Sequence, residues 1–185
     1  MNEIYIFFAE GFEEIEALTP CDVLRRAGFK VNLTSTTDSL YVAGARNITV
    51  KCDIFIQEVN IDNALMLILP GGMPGASNLN NNSKVIDMIQ NFADSGKWIA
   101  AICAAPMILG GMELLSGKKA TCYPGYEKYL KGATFIKEPV VTDGKIITSC
   151  SAGTAMVFSF EILKQLAGSK VAEELGEKMG VKYKL

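Results

Sequence analysis

Apolar and polar residues alternate along this chain in two distinct rhythms. Ile4–Phe8 and Ala64–Leu69 are short, wholly apolar runs, the pattern of strands buried on both faces. Lys30–Thr36 and Lys97–Ile102 predict two more strands. Between them lie stretches of helical spacing: Glu13–Ala27 before Gly28, Lys84–Asp94, Ala104–Met112, Thr154–Ala167 and Val171–Met179, the last two closed by Gly168 and Gly180. Pro20 should kink or break the first of these helices. The run Asn80–Asn82 is a turn, with Ser83 placed to cap the helix that follows. Tyr41–Ile56, rich in β-branched residues with Gly and Asn breaks, predicts short strands or a hairpin, and Tyr126–Leu130 a short helix. Val140–Thr142 and Lys145–Ser149 flank Asp143 and Gly144, a hairpin-turn pair. The alternation of buried strand and helix predicts an α/β fold, a mainly parallel sheet with helices on both faces. No repeat, low-complexity segment or linker interrupts it, so residues 1–185 read as one domain.

Composition narrows the function classes. With 49% apolar residues the chain has material for a sizeable core. Its net charge of −2 leaves no basic surplus to neutralise phosphates, which argues against nucleic acid as a partner. Arg25 with Arg26, and Lys182 with Lys184, are local basic clusters that read as solvated surface. No apolar run approaches the roughly 18 residues of a membrane span. The opening Met1, Asn2 and Glu3 pass straight into the first strand, without the basic start and long apolar stretch of a secretory leader, so a cytoplasmic location is expected. Five cysteines, with no CxxC pair and no metal-like spacing, read as reduced thiols, and neither metal nor cofactor is expected. The methionines, Met73 among them, read as core gap-fillers, and Trp98 as a packed strand start. Most informative, the sequence contains no histidine, which removes Ser-His and Cys-His catalytic pairs and His-based zinc sites.

Three segments carry candidate chemistry. In Trp98–Leu109 a buried strand runs into small residues around Cys103, and a helix then begins with Pro106 suited to its first turn. This is a cysteine version of a nucleophile elbow, with Ala101 and Ala105 where the serine-hydrolase pattern prefers glycine. A thiol at a helix N-terminus faces unpaired N–H groups, so its pKa is expected to fall. An inert buried thiol is the plainer alternative. The second segment, Ala9–Ala17, follows the first strand and holds four carboxylates, Glu10, Glu13, Glu14 and Glu16. A solvated helix start accounts for the first three; Glu16, flanked by Ile15, Ala17 and Leu18, is pushed toward an apolar site. There a carboxyl with a raised pKa could donate to a thiolate or act as the general base that histidine supplies elsewhere. Loops after the carboxyl ends of parallel strands line the binding crevice, so Glu16 and Cys103 can converge. The third segment, Leu69–Gly75, holds Gly71 and Gly72, whose backbone N–H groups can approach a ligand or oxyanion; it lacks the Lys-Ser/Thr of a phosphate loop.

Together these segments resemble the DJ-1/ThiJ/PfpI superfamily over nearly the whole chain, and its DJ-1/ThiJ branch in detail. The resemblance rests on Asp22–Gly28, Leu69–Gly72, Ala100–Pro106, Thr148 with Ser149, and Ala152–Thr154. It implies a flavodoxin-like three-layer sandwich and a homodimer. It also implies that Cys103 is an oxidation-prone nucleophile with Glu16 as carboxyl partner, and that Gly72 and Ala104 supply N–H groups near the sulfur. Arg46 of a second subunit would stand near the site, and Ser149 would be an accessory residue. Tyr123 takes the place where many relatives carry histidine, and Cys150 the place where some carry arginine. Cys122 and Cys150 could then lie on the active-site side, and one could resolve an oxidised Cys103 as a disulfide; two unrelated thiols are the plainer reading. The resemblance implies a redox-responsive stress protein that meets peroxide. Its alternative is a cofactor-free glyoxalase or deglycase acting on small reactive carbonyls such as methylglyoxal. A chaperone is a weaker rival, and a Cys-His hydrolase the weakest.

Overall fold

The computed structural model of the chain describes residues 3–181; the basic cluster of Lys182 and Lys184, like Met1 and Asn2, lies outside them. The described residues form eleven strands and six α-helices. In chain order these are β1 (Glu3–Phe8), α1 (Glu14–Arg26), β2 (Lys30–Ser35), β3 (Tyr41–Ala43), β4 (Thr49–Lys51), β5 (Ile54–Phe55), β6 (Ala64–Leu69), α2 (Gly75–Asn80), α3 (Ser83–Asp94), β7 (Trp98–Ile102) and α4 (Pro106–Gly111), followed by β8 (Lys119–Ala120), β9 (Thr134–Phe135), β10 (Val140–Asp143), β11 (Ile146–Ser149), α5 (Ala155–Ala167) and α6 (Ser169–Lys178).

Seven strands make the central sheet, in the order β10-β11-β7-β6-β1-β2-β5. All neighbours run parallel except β10 against β11, which close as the hairpin expected at Asp143 and Gly144. Counted along the parallel strands β1, β2, β6, β7 and β11, the order is 2-1-3-4-5, that of the flavodoxin-like sheet, whose binding crevice lies at the carboxyl ends of the strands. The period of two sorts each strand between two cores. Ile4, Ile6, Phe8, Met66, Ile68, Ala100 and Ile102 face one layer, with Ala17 and Leu24 of α1, Phe158 and Ile162 of α5, and Ala172 of α6. Tyr5, Phe7, Leu67, Leu69, Ile99 and Ala101 face the other, with Val85 and Ile89 of α3 and Ile108 of α4. Both faces are covered, which is why these strands read as unbroken apolar runs.

Several boundaries differ from expectation for local reasons. Helix α1 runs through the buried Pro20 without a break; a proline there removes one backbone donor, and the apolar face holds the helix together across it. Helix α3 is capped by Asn82, not Ser83: Asn82 Oδ1 accepts the Lys84 N–H at 3.0 Å. Its Nδ2 also donates to Thr36 O at 3.0 Å, a tie the serine could not make. Helix α4 starts at Pro106 instead of Ala104, because residues 103–105 are spent on the turn out of β7. Tyr41–Ala43 and Thr49–Lys51 form the expected small hairpin, outside the main sheet. No helix among the described residues is long and apolar enough to cross a membrane.

Candidate active site

Three segments leave the carboxyl ends of the neighbouring strands β1, β6 and β7, and they carry Glu16 at the start of α1, Gly71 with Gly72, and Cys103. Cys103 is the first residue after β7 and has a left-handed backbone, φ 65°. For a residue with a Cβ that conformation costs about 1–3 kcal/mol and persists only where the surroundings impose it. They do so from both sides of its peptide. The Cys103 N–H donates to Ser149 O at 2.9 Å, and its carbonyl accepts the Tyr123 N–H at 2.8 Å. The turn takes Cys103 out of the strand's alternation and sets its half-buried side chain on the wall of a cleft.

Glu16 sits in the first turn of α1, 1% exposed. Its Oε2 accepts the Gly71 N–H at 2.9 Å, and its carboxyl also lies against the Cys103 thiol as a hydrogen-bond partner. Gly71 makes this approach possible. A Cβ built there would stand 2.5 Å from Glu16 Oε2, 2.7 Å from Cys103 Cβ and 2.9 Å from Ile102 O. Gly72, at φ 85°, turns the loop so that its N–H, together with that of Ala104, points at the sulfur.

Burial dominates the electrostatics. It pushes the Glu16 carboxyl up to about 7, against the Cys103 and Gly71 hydrogen bonds that favour the charged form; the nearby charge of Glu13 raises it further. Burial also pushes the Cys103 thiol well up, followed by the negative charge of Glu16 and its hydrogen bond; the Ala104 and Gly72 N–H groups pull the other way and are outweighed. The expectation of a thiol lowered by a helix N-terminus is therefore corrected. Helix α4 has only six residues and begins three positions beyond the cysteine, while a carboxylate sits beside the sulfur.

The cleft is about 440 Å³. Glu16, Gly72, Cys103, Ala104, Arg46 and Tyr123 all line it. Arg46 reaches it with its Nη2 3.6 Å from Glu13 Oε2 of the same chain. Ser149 does not line it. Ser149 is fully buried, its Oγ donating to Pro139 O at 2.7 Å and lying 2.7 Å from Thr154 Oγ1, and it serves Cys103 through its carbonyl alone. Cys150 is also absent from the cleft wall. With Cys122 it lines a different cavity, behind the strand ends.

Sequence reasoning missed several wall residues. Glu13 and Glu14 are not a solvated helix start like the exposed Glu10. Glu13 pairs with Arg46, and Glu14, 5% exposed, accepts the N–H groups of Arg46 at 2.7 Å and Ile48 at 3.4 Å, holding the turn after β3 over the site. Tyr126 stands edge-on to Tyr123, ring centroids 6.2 Å apart, and lines the cleft; the three-residue spacing of the tyrosines was the available signal. Met73 is half exposed at the mouth and is no core gap-filler, since the Gly72 turn carries it outward. The short turn Ala152–Thr154 supplies the opposite wall. No group of three or more metal-ligating side chains lies together among the described residues.

The sequence and the fold are similar to those of known proteins. Residues 2–165 match the model of the DJ-1/PfpI family. Protein DJ-1 homolog B of Arabidopsis thaliana is 37% identical over 94% of this chain, which spans only about 40% of that relative's length. Protein dj-1beta of Drosophila melanogaster is 34% identical over 96% of both chains. Its crystal structure superposes with a TM-score of 0.93 over 98% of this chain and 99% of the other. The structure of oxidized Toxoplasma gondii DJ-1, 30% identical, gives 0.91 over 99% and 100%. A sheet of flavodoxin order, a strained cysteine just past its fourth parallel strand, a match to the family model over residues 2–165 and relatives of this similarity agree: the chain belongs to the DJ-1/PfpI family.

Proposed function

We propose that this is a redox-responsive stress-protection protein of the DJ-1 type, in which peroxide oxidises Cys103. The observation that carries the reading is the shared burial of Glu16 and Cys103. Ionised, Glu16 repels a thiolate; protonated, the repulsion vanishes and the carboxyl becomes a donor to the sulfur. With Glu16 pushed up to about 7, much of it is protonated at neutral pH. A thiolate formed then accepts hydrogen bonds from the protonated carboxyl and from the Gly72 and Ala104 N–H groups. Its attack on peroxide breaks the O–O bond and gives sulfenic acid and hydroxide, which takes up the proton the thiol released and leaves as water; a second peroxide gives sulfinic acid and water. The same donors stabilise the sulfinate. Mass spectrometry after mild peroxide is the test: Cys103 gains two oxygens before any other cysteine, and earlier oxygen gain elsewhere refutes the reading.

A second reading draws on the same carboxyl. An acid–base group titrating near neutrality beside a nucleophile suits a cofactor-free glyoxalase or deglycase. Cys103 would add to the aldehyde of methylglyoxal as a hemithioacetal, Glu16 would move a proton between the adjacent carbons, and water would release lactate. Lactate formation that survives in Cys103→Ser removes this reading.

The five free thiols suit the reducing cytoplasm. A homodimer is proposed through the outer face of α1, where Ile15 is 54% exposed beside Leu18 and Met156, and where the buried Glu14 Oε2 has no partner among the described residues. Ile15→Glu should convert a dimer into a monomer in sedimentation velocity; an unchanged sedimentation coefficient counts against this face.

A further inference from the structure

We propose that Cys122 and Cys150 form a second peroxide-sensitive centre, a dithiol that closes to an intrachain disulfide without Cys103. The two cysteines lie 28 positions apart, and the fold brings them to one cavity of about 550 Å³, walled mainly by Phe135, Pro124 and Pro139. Its polar rim is Glu127, Lys137 and Glu138. Cys103 does not line it.

The two thiol-bearing segments are tied to each other by one direct hydrogen bond and through the backbone of Cys103. Thr121 N–H donates to Thr148 Oγ1 at 2.9 Å. The Cys103 backbone links both segments, its N–H donating to Ser149 O at 2.9 Å and its carbonyl accepting the Tyr123 N–H at 2.8 Å. Cys122 lies between Thr121 and Tyr123, and Cys150 follows Ser149, so each thiol adjoins a hydrogen-bonded position of its segment. They are close enough that the charge of Cys150 contributes to holding the Cys122 thiol up, after burial and the charge of Glu127.

Exposure orders the chemistry. Cys150 is half-buried and its Sγ has only weak partners, Ser151 Oγ at 3.9 Å and Thr154 Oγ1 at 3.8 Å, whereas Cys122 is 1% exposed. Peroxide meets Cys150 first: its sulfur displaces one peroxide oxygen, giving Cys150 sulfenic acid and water. The Cys122 sulfur then attacks the sulfenic sulfur, the S–S bond forms, and hydroxide leaves to take the Cys122 proton as water. One peroxide is reduced and two thiols are oxidised in all. The product is reducible by thiols, unlike a sulfinic acid at Cys103, so the protein would hold one reversible and one irreversible oxidation site.

Trypsin separates the five cysteines, with Cys122 in residues 120–128 and Cys150 in residues 146–164. The experiment is peroxide treatment of the wild-type chain and of Cys103→Ser, followed by non-reducing peptide mapping and thiol titration in denaturant. The expected result in both proteins is a linked pair of these two peptides on a single-chain band. In Cys103→Ser, which keeps four of the five cysteines, the titration should fall from four thiols to two and return to four with dithiothreitol. In Cys122→Ser, Cys150 should instead be trapped by dimedone. Four thiols persisting in Cys103→Ser, a linkage to Cys103, Cys21 or Cys52, or a linkage between chains overturns the proposal. Because the signal is read without Cys103, its failure is separable from failure of the redox reading of the cleft.

Discussion

Replacing Glu16 by glutamine should make the protein's stability less sensitive to pH, by an amount the structure sets. Folded Glu16 holds its proton to about pH 7, and in the unfolded chain it releases it near its ordinary value of 4.5. Between those values the folded state binds more protons than the unfolded one, so unfolding free energy falls as pH rises. The loss begins above about 4.5 and is complete once the pH has passed about 7. Two and a half units at 1.36 kcal/mol each give about 3 kcal/mol, and with Glu16 only 1% exposed no solvent screening reduces it. Glutamine keeps the shape and an oxygen to accept the Gly71 N–H, and it cannot ionise. Urea unfolding of the wild type and Glu16→Gln at pH 5 and pH 8.5 measures the difference. The two proteins should be similar in stability at pH 5, with the variant more stable by about 3 kcal/mol at pH 8.5. Parallel pH profiles for the two proteins would refute the claim that this carboxyl is held neutral by burial.

Gly71→Ala should cost about 1–3 kcal/mol by overpacking, because the new methyl meets Glu16 Oε2 and the Cys103 Cβ together. It should also slow iodoacetamide labelling of Cys103 at least tenfold, read by peptide mapping beside the unfolding curve. Arg46→Ala removes an ion pair whose arginine is 70% exposed, so its melting temperature should hardly move. The Glu13 charge, then unopposed, should drive Glu16 further up, and the pH midpoint of Cys103 labelling should follow it upward. Glu16→Ala takes away the sulfinate's carboxyl donor, a charge-assisted bond worth about 1.5–3 kcal/mol. Sulfinic acid at Cys103 should then accumulate about 10- to 150-fold more slowly in a peroxide time course.

The strands, the helices and the cysteine were legible because they depend on local pattern. Ala64–Leu69 is apolar at every position because both its faces are covered, and a run of that kind has few other readings. Small residues around Cys103 with Pro106 behind them announce a tight turn into a helix, and the backbone there is left-handed. Glu16 stood out from its neighbours by its apolar flanks, and it is the carboxylate that meets the sulfur.

Other features had no local sign. Glu13 and Glu14 have the composition of a solvated helix start, and only the turn at 44–48, folded back over α1, supplies the donors that bury them. Ser149 and Cys150 adjoin in sequence, yet Ser149, the last residue of β11, is locked by hydrogen bonds, and Cys150, just past the strand, opens into a separate cavity. The direction of the thiol's pKa was also misread. A helix terminus is visible in the sequence, but desolvation and the charge of a carboxylate 87 positions away act through space and outweigh it. The sequence alone determined the periodicities, the turn chemistry and the cysteine that the turn carries, since these follow from neighbours along the chain. Tertiary structure decided which groups share a cavity, which are deprived of water and hence which proton is held, because burial and Coulomb energy depend on distances that only the folded chain defines.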